Sequence, residues 1–240
     1  MLTLRWLGSR GIGGSLVNYY VKAGWLHRVG DGAFTVTPEP PDWIGAVYGL
    51  QQKPTSLHPG GQTALELAGV AHFLPMGNDG PLYLFGRSGE RLPKWFTGLP
   101  WSKRVKHVQS AFLPADLGLR EYSTRNFSVR ISDPERAILE LLLQVAPDTD
   151  GYAYADLLFE NLGTLRPSLV QSLLEHCTSV KAKRLFLHFA EKHAHPWFQQ
   201  IDSTKISIGA GKRVFVRGGR LDPKYLITVP VETITPDDAP

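Results

Sequence analysis

Apolar and polar positions alternate early in the chain with a periodicity that predicts short elements in a definite order. Thr3-Leu4-Arg5-Trp6-Leu7-Gly8-Ser9 reads as a short helix capped by Thr3, followed by a tight glycine turn at Gly11-Ile12-Gly13-Gly14. A second helix is predicted from Gly14 or Ser15 to Ala23, stopped by Gly24. Trp25–Val29 and Ala33–Val36 then flank Gly30-Asp31-Gly32, the pattern of a β-hairpin. Short helix, glycine turn, helix and two-stranded hairpin is the order of a winged helix-turn-helix. Only Met1 and Leu2 precede the first helix. Either the start of the chain lies further upstream, or residues beyond Pro41 complete the three-helix core.

Pro38-Glu39-Pro40-Pro41 cannot continue a helix or a strand and marks the expected boundary between residues 1–38 and a larger part, 39–230. Beyond it the pattern predicts helices from Asp42 to Gln52 and Thr63 to Gly69, and strands at Pro81–Phe85, Val105–Phe112 and Phe127–Ile131. Ser132-Asp133-Pro134-Glu135 reads as a capping box opening a strongly amphipathic helix, whose Ala137, Ile138, Leu141, Leu142 and Val145 share one face. Helices near 152–162, 167–177 and 180–193 follow, then strands near 204–208, 213–216 and 225–229. Residues 231–240, with two prolines and three acids, are expected to form a frayed tail. The predicted fold class is α+β: an N-terminal winged helix-turn-helix followed by a larger mixed α+β domain.

Composition adds exclusions. The 240 residues are 42% hydrophobic and 20% charged, an ordinary globular balance, and Cys177 alone cannot form an internal disulfide or a cysteine-based zinc site. With no export signal and no long apolar run, a cytoplasmic location is expected. The net charge of +4 is too small to name a partner, but its distribution is uneven. Residues 1–36 carry Arg5, Arg10, Lys22 and Arg28 against Asp31; residues 87–106 carry six basic groups against Glu90; residues 181–224 carry ten against three acids. The acids concentrate between Asp133 and Glu160. Such blocks fit a polyanion-binding protein.

The second helix carries the most specific chemistry. At helical spacing Ser15, Asn18, Tyr19 and Lys22 fall within about 100° of one another, with apolar residues on the remainder. This division suits a recognition helix: Asn18 can bond an adenine edge, Lys22 can reach guanine or phosphate, and Arg28 on the wing can meet phosphates. A second basic face is expected on the helix near 180–193, where Lys181, Arg184, His188 and Lys192 share a line, with Lys212 and Arg213 at a nearby glycine-rich hairpin tip. Enzymatic readings lack a site. Gly11–Ser15 has no strand before it and no Gly-Lys-Ser/Thr ending, Asp148 and Asp150 are far from Gly14-Ser15, and His188, His193 and His195 lack a metal-ligand spacing. No catalytic residue, metal or cofactor is therefore expected. The alternative is a protein-interaction module whose basic face docks an acidic partner without reading DNA sequence.

Several segments, in order, resemble the AbiE-type antitoxins of type IV toxin–antitoxin (abortive infection) systems. They are Gly13–Phe34, Gly61–Gly69, Ile131–Glu140, Ser179–Phe186 and Asp222–Tyr225, so the likeness spans nearly the whole chain apart from its tail. The resemblance implies a winged-helix domain that represses its own operon at promoter inverted repeats, and a larger C-terminal domain that contributes to DNA binding and neutralises a toxin. It further implies a nucleotidyltransferase-like toxin as functional partner, counteracted without a stable complex. The family's recognition positions fall on Ser15, Asn18, Tyr19 and Lys22, with Arg28 on the wing.

Overall fold

Local signals build the N-terminal elements. In this computed structural model, which describes residues 1–70 and 80–231, the strand β1 (Leu2–Thr3) leads directly into helix α1 (Leu4–Ser9). The Thr3 hydroxyl accepts from the Trp6 amide at 3.3 Å, satisfying one orphan donor of the first turn. Helix α2 (Gly14–Lys22) ends in a Schellman motif: Gly24 adopts φ +75°, its amide bonds Val21 O at 3.1 Å, and the Trp25 amide bonds Tyr20 O at 2.9 Å. Strands β2 (His27–Gly30) and β3 (Ala33–Thr35) form the hairpin, and β1 pairs with β3, giving a sheet of order β1-β3-β2. Leu7, Val17, Leu26 and Phe34 are buried together, with Leu2, Trp6, Ile12, Tyr20 and Val21 packed around them. This is the winged-helix order that the sequence predicts.

Helix α3 (Trp43–Gln51) is capped by Asp42, whose carboxylate accepts from the Gly45 amide at 2.6 Å. It is tied to the start of the chain. The Gln52 side-chain oxygen accepts from the amide and the hydroxyl of Thr3, at 2.9 and 2.8 Å, and its nitrogen donates to Met1 O at 2.8 Å. A third helix is thus anchored to the winged helix from beyond Pro41.

The chain forms two compact units. The first comprises Met1–Ala64, the described residues of Leu74–Ala111, and Ala115–Asp133. Pro38–Pro41 therefore lies inside this unit rather than at its edge. After α3, β4 (His58–Pro59) and helix α4 (Gly61–Leu67) lead towards β5 (Leu82–Gly86), the short helix α5 (Lys94–Thr97) and β6 (Val105–Gln109). Strand β4 is antiparallel to β5 and β5 parallel to β6. Strands β7 (Leu119–Ser123) and β8 (Ser128–Ser132) form an antiparallel pair. Gln51 fixes α3 to β8 by bonding both the amide and the carbonyl of Arg130, at 2.7 and 2.9 Å.

The second unit holds helices α6 (Pro134–Gln144), α7 (Thr149–Glu160), α8 (Pro167–His176) and α9 (Val180–Lys192). Helix α6 is buried on more than one face: Leu139 and the ion pair Arg136–Glu140, at 2.7 Å, are enclosed alongside the five apolar residues expected to face the core. Glu135, expected to cap this helix, accepts from the Arg166 amide at 2.8 Å and from its guanidinium at 3.0 Å. These bonds hold the Glu135 carboxyl below its usual range against the opposing effect of burial. Phe159, Phe186, Phe189 and Trp197 cluster in the core, with ring centroids 5.2–5.8 Å apart. Of the strands expected near the C-terminus, 204–208 is instead a single 3-10 turn at Ser203–Lys205, and 213–216 contributes only one bridge, Arg213 to Ile227. The pair that forms is β9 (Arg220–Asp222) with β10 (Ile227–Val229). The tail expected over 231–240 lies, beyond Val231, outside the described residues.

Candidate nucleic-acid interface

Helix α2 buries Val17 and leaves Ser15, Asn18, Tyr19 and Lys22 exposed, as a recognition helix requires. The hairpin brings Arg28 to the same surface. Its guanidinium lies 5.0 Å from the centroid of the buried Phe34 ring and donates to Asn18 Oδ1 over a long 3.4 Å. Five residues scattered over fourteen positions of sequence therefore stand on one exposed face, two of them in direct contact. Arg10 stands over the Trp6 ring at 5.0 Å and adds an exposed cation from the turn between α1 and α2. Over residues 1–36 the four cations Arg5, Arg10, Lys22 and Arg28 face one acid, Asp31 in the wing turn, so this segment is net positive.

The second basic face differs from its expectation. Lys181, Arg184, His188 and Lys192 do line one side of α9, but that side is largely covered. Arg184 is 0% exposed and donates to four main-chain carbonyls: Ile208 at 2.8 Å, Gly211 at 2.7 Å, Leu226 at 3.0 Å and Gly209 at 3.1 Å. It cannot reach a phosphate. The Lys181 ammonium caps the end of α6, donating to Leu143 O at 3.2 Å and Val145 O at 2.6 Å, where cations complement the exposed carbonyls of a helix terminus. Burial pushes this ammonium below its usual range. Lys192 donates to Asp156 at 2.6 Å, and His193 shares the same carboxylate at 2.7 Å. His188 sits between Tyr152 and Asp222, 2.8 Å from each, linking α7, α9 and β9. All four side chains are thus committed to holding the second unit together.

What Arg184 holds is the loop that carries the remaining cations. The loop folds over the guanidinium with Gly209 and Gly211 at φ +69° and +74°. It presents Lys212 and Arg213 exposed, with Arg217 and Arg220 exposed a few residues on. Phe215 and Val216 are buried, and the Arg213 amide bonds Leu226 O at 2.9 Å while the Val216 amide bonds Thr228 O at 3.1 Å. Among the described residues none of these four cations forms an ion pair.

Comparison with known proteins decides the family. Residues 1–76 match the model of the N-terminal domain of the AbiEi antitoxin, a transcriptional regulator, and residues 79–230 match the model described as transcriptional regulator, AbiEi antitoxin, type IV toxin–antitoxin system. The chain belongs to the AbiEi antitoxin family. No curated protein matches this AbiEi chain. Its fold is similar to that of the Rv2827c protein from Mycobacterium tuberculosis, with a TM-score of 0.53 and 14% identity over 94% of this chain and 85% of that one. Membership makes the chain a non-enzymatic transcriptional regulator and antitoxin, which implies DNA and a cognate toxin as partners. No described helix is long and apolar enough to cross a membrane.

The residues set aside as catalytic candidates in this AbiEi chain have other work. Asp148 caps α7 by accepting from the Gly151 amide at 2.7 Å, and Cys177 is buried, its thiol pushed up by desolvation. His195 is buried with Nε2 2.5 Å from Phe159 O. Among the described residues no group of three His, Cys, Asp or Glu is placed to hold a metal ion. Sequence reasoning missed Arg184 as the organiser of the basic loop and Trp25 as a large exposed aromatic beside the reading face. Trp25 carried a signal, because it is the residue after a helix-ending glycine. Arg184 carried none beyond its spacing.

Proposed function

We propose that this protein represses its own operon by binding inverted repeats in the promoter, and counteracts a nucleotidyltransferase-like toxin without forming a stable complex with it, in the cytoplasm. The observation that carries the DNA-binding part is the exposed face of α2, where Ser15, Asn18, Tyr19 and Lys22 stand beside Arg28 with Asn18 and Arg28 in contact. In this reading Asn18 bonds an adenine edge, Lys22 a guanine or phosphate, and Arg28 the backbone next to the wing. Lys212 and Arg213, unpaired on a loop fixed from beneath, add phosphate contacts from the second unit. The toxin part rests on family membership and on the resemblance of nearly the whole chain, apart from its tail, to AbiE-type antitoxins.

The test is a mobility shift with duplex DNA from immediately upstream of the gene, together with co-expression of the adjacent reading frame. Wild type should retard the fragment and relieve growth arrest by the neighbouring product, while Asn18→Ala and Lys22→Ala retain their fold and shift the fragment only at higher protein concentration. Normal shifts from both variants would remove the assignment of the face. Stable co-purification with the neighbouring product and no DNA shift would instead support the protein-docking alternative.

A further inference from the structure

Trp25 is 63% exposed and Tyr19 59%, an unusual amount of aromatic surface to leave in water beside a polar reading face. Neither ring is loose. The Schellman motif at the end of α2 fixes the Trp25 backbone through its amide bond to Tyr20 O at 2.9 Å. The Trp25 ring packs on Tyr20, with centroids 5.4 Å apart and planes at 31°, and meets Tyr19 edge-on at 6.2 Å and 84°. Tyr20 in turn packs against the winged-helix core. The result is a rigid aromatic platform at the C-terminal end of α2, braced from below and open on its outer side.

The occupant is decided by charge. Tyr19 belongs to the polar face of α2, whose other exposed groups are Ser15, Asn18 and Lys22 with Arg28 beside Asn18, and residues 1–30 contain no acid. A second copy of this surface would bring like charges together, whereas the major groove offers negative phosphates around an apolar feature, the C5-methyl group of thymine. We propose that Trp25, braced by Tyr19 and Tyr20, contacts thymine methyl groups in the operator. It thereby adds sequence specificity that the polar residues of α2 do not supply. This inference rests on the DNA-binding reading of the same face.

The probe is the promoter fragment prepared twice by amplification, once with thymidine and once with deoxyuridine triphosphate, so that the second copy lacks the methyl groups between its primers. Wild type should bind the uracil fragment at least about fourfold more weakly, the effect of removing one buried methyl contact. Trp25→Ala should bind the thymine fragment more weakly than wild type and bind both fragments equally. Trp25→Phe, which keeps an aromatic face, should restore most of the difference, and Trp25→Gln, expected like alanine to bind both fragments equally, stands in if the alanine variant binds too weakly to measure. Equal binding of both fragments by wild type overturns the proposal. So does a thymine preference that persists undiminished in Trp25→Ala, because the methyl groups would then be felt elsewhere. A concentration-dependent dimer of the free protein that dissociates in Trp25→Ala would assign the platform to a second copy. If wild type shifts neither fragment, the DNA-binding reading itself fails and this inference falls with it.

Discussion

At the scale of single residues, the two kinds of cation in this protein should behave oppositely under substitution. Lys22 and Arg28 are exposed, so their removal should cost affinity and little stability. Lys22→Ala should lower the slope of log affinity against log salt by about one if the side chain meets a phosphate, as measured by titration at several ionic strengths. Asn18→Ala should cost about 1–3 kcal/mol of binding, in line with loss of a good base contact. Arg184 is the reverse. Its replacement by methionine removes the guanidinium from four carbonyls inside the protein, of which only Leu226 O keeps another donor, the Arg213 amide, and a loss of at least ~3 kcal/mol is expected in urea unfolding. A change below ~1 kcal/mol would mean that the loop does not depend on this cradle.

At the scale of elements, the joint between α7, α9 and β9 depends on a neutral imidazole. Desolvation lowers the His188 pKa from its ordinary 6.5, and this outweighs the hydrogen bond and the charge of Asp222, which raise it; Lys192 nearby lowers it further. The unfolded chain therefore binds a proton more readily than the folded one. The resulting stability is fully present above about pH 6.5 and is lost as pH falls below that value towards the folded pKa. Unfolding midpoints measured from pH 7.5 to 5 should fall for wild type, and fall less for His188→Asn. The same elements show what sequence reading reaches. Among the described residues the helices of eight residues or more were legible from a local cap, as with Asp42, or from periodicity, while the caps Asp148 and Ser179 emerge only in the structure. The pairing of β7 with β8 was not legible on the β7 side, since Arg120 and Glu121 give it no apolar run. Spacing correctly places Lys181, Arg184, His188 and Lys192 on one line of α9. It carries no information on whether that line meets water or the segment 208–226, which follows a dozen and more residues later. The polar face was legible; its burial was not.

At the scale of the whole molecule, two basic surfaces belong to two units, and the winged helix shares its unit with the β4-β5-β6 sheet and the β7–β8 pair. If both surfaces meet phosphates, replacing Lys212 and Arg213 by serine should lower the salt slope by about two, whereas replacing Lys181 and Lys192 should leave it unchanged. The binding losses from Lys22→Ala and from the Lys212→Ser/Arg213→Ser pair should add within ~0.5 kcal/mol, as for independent sites. A combined variant no weaker than either alone would show that the two surfaces do not engage one DNA molecule together. The modest net charge of +4 hides this arrangement, since acids of the second unit such as Glu140, Glu135 and Asp156 pair internally with Arg136, Arg166 and Lys192.

The contact between Asn18 and Arg28 bears on attempts to retarget this regulator. Arg28 lies over Phe34 and reaches Asn18, so whatever stands at position 18 faces a cationic neighbour. A library that varies position 18 alone would sample only side chains compatible with that neighbour, and acidic choices meant for cytosine would be captured by the arginine before meeting a base. Positions 18 and 28 form a two-letter word, and new specificities are to be sought by rewriting both letters together.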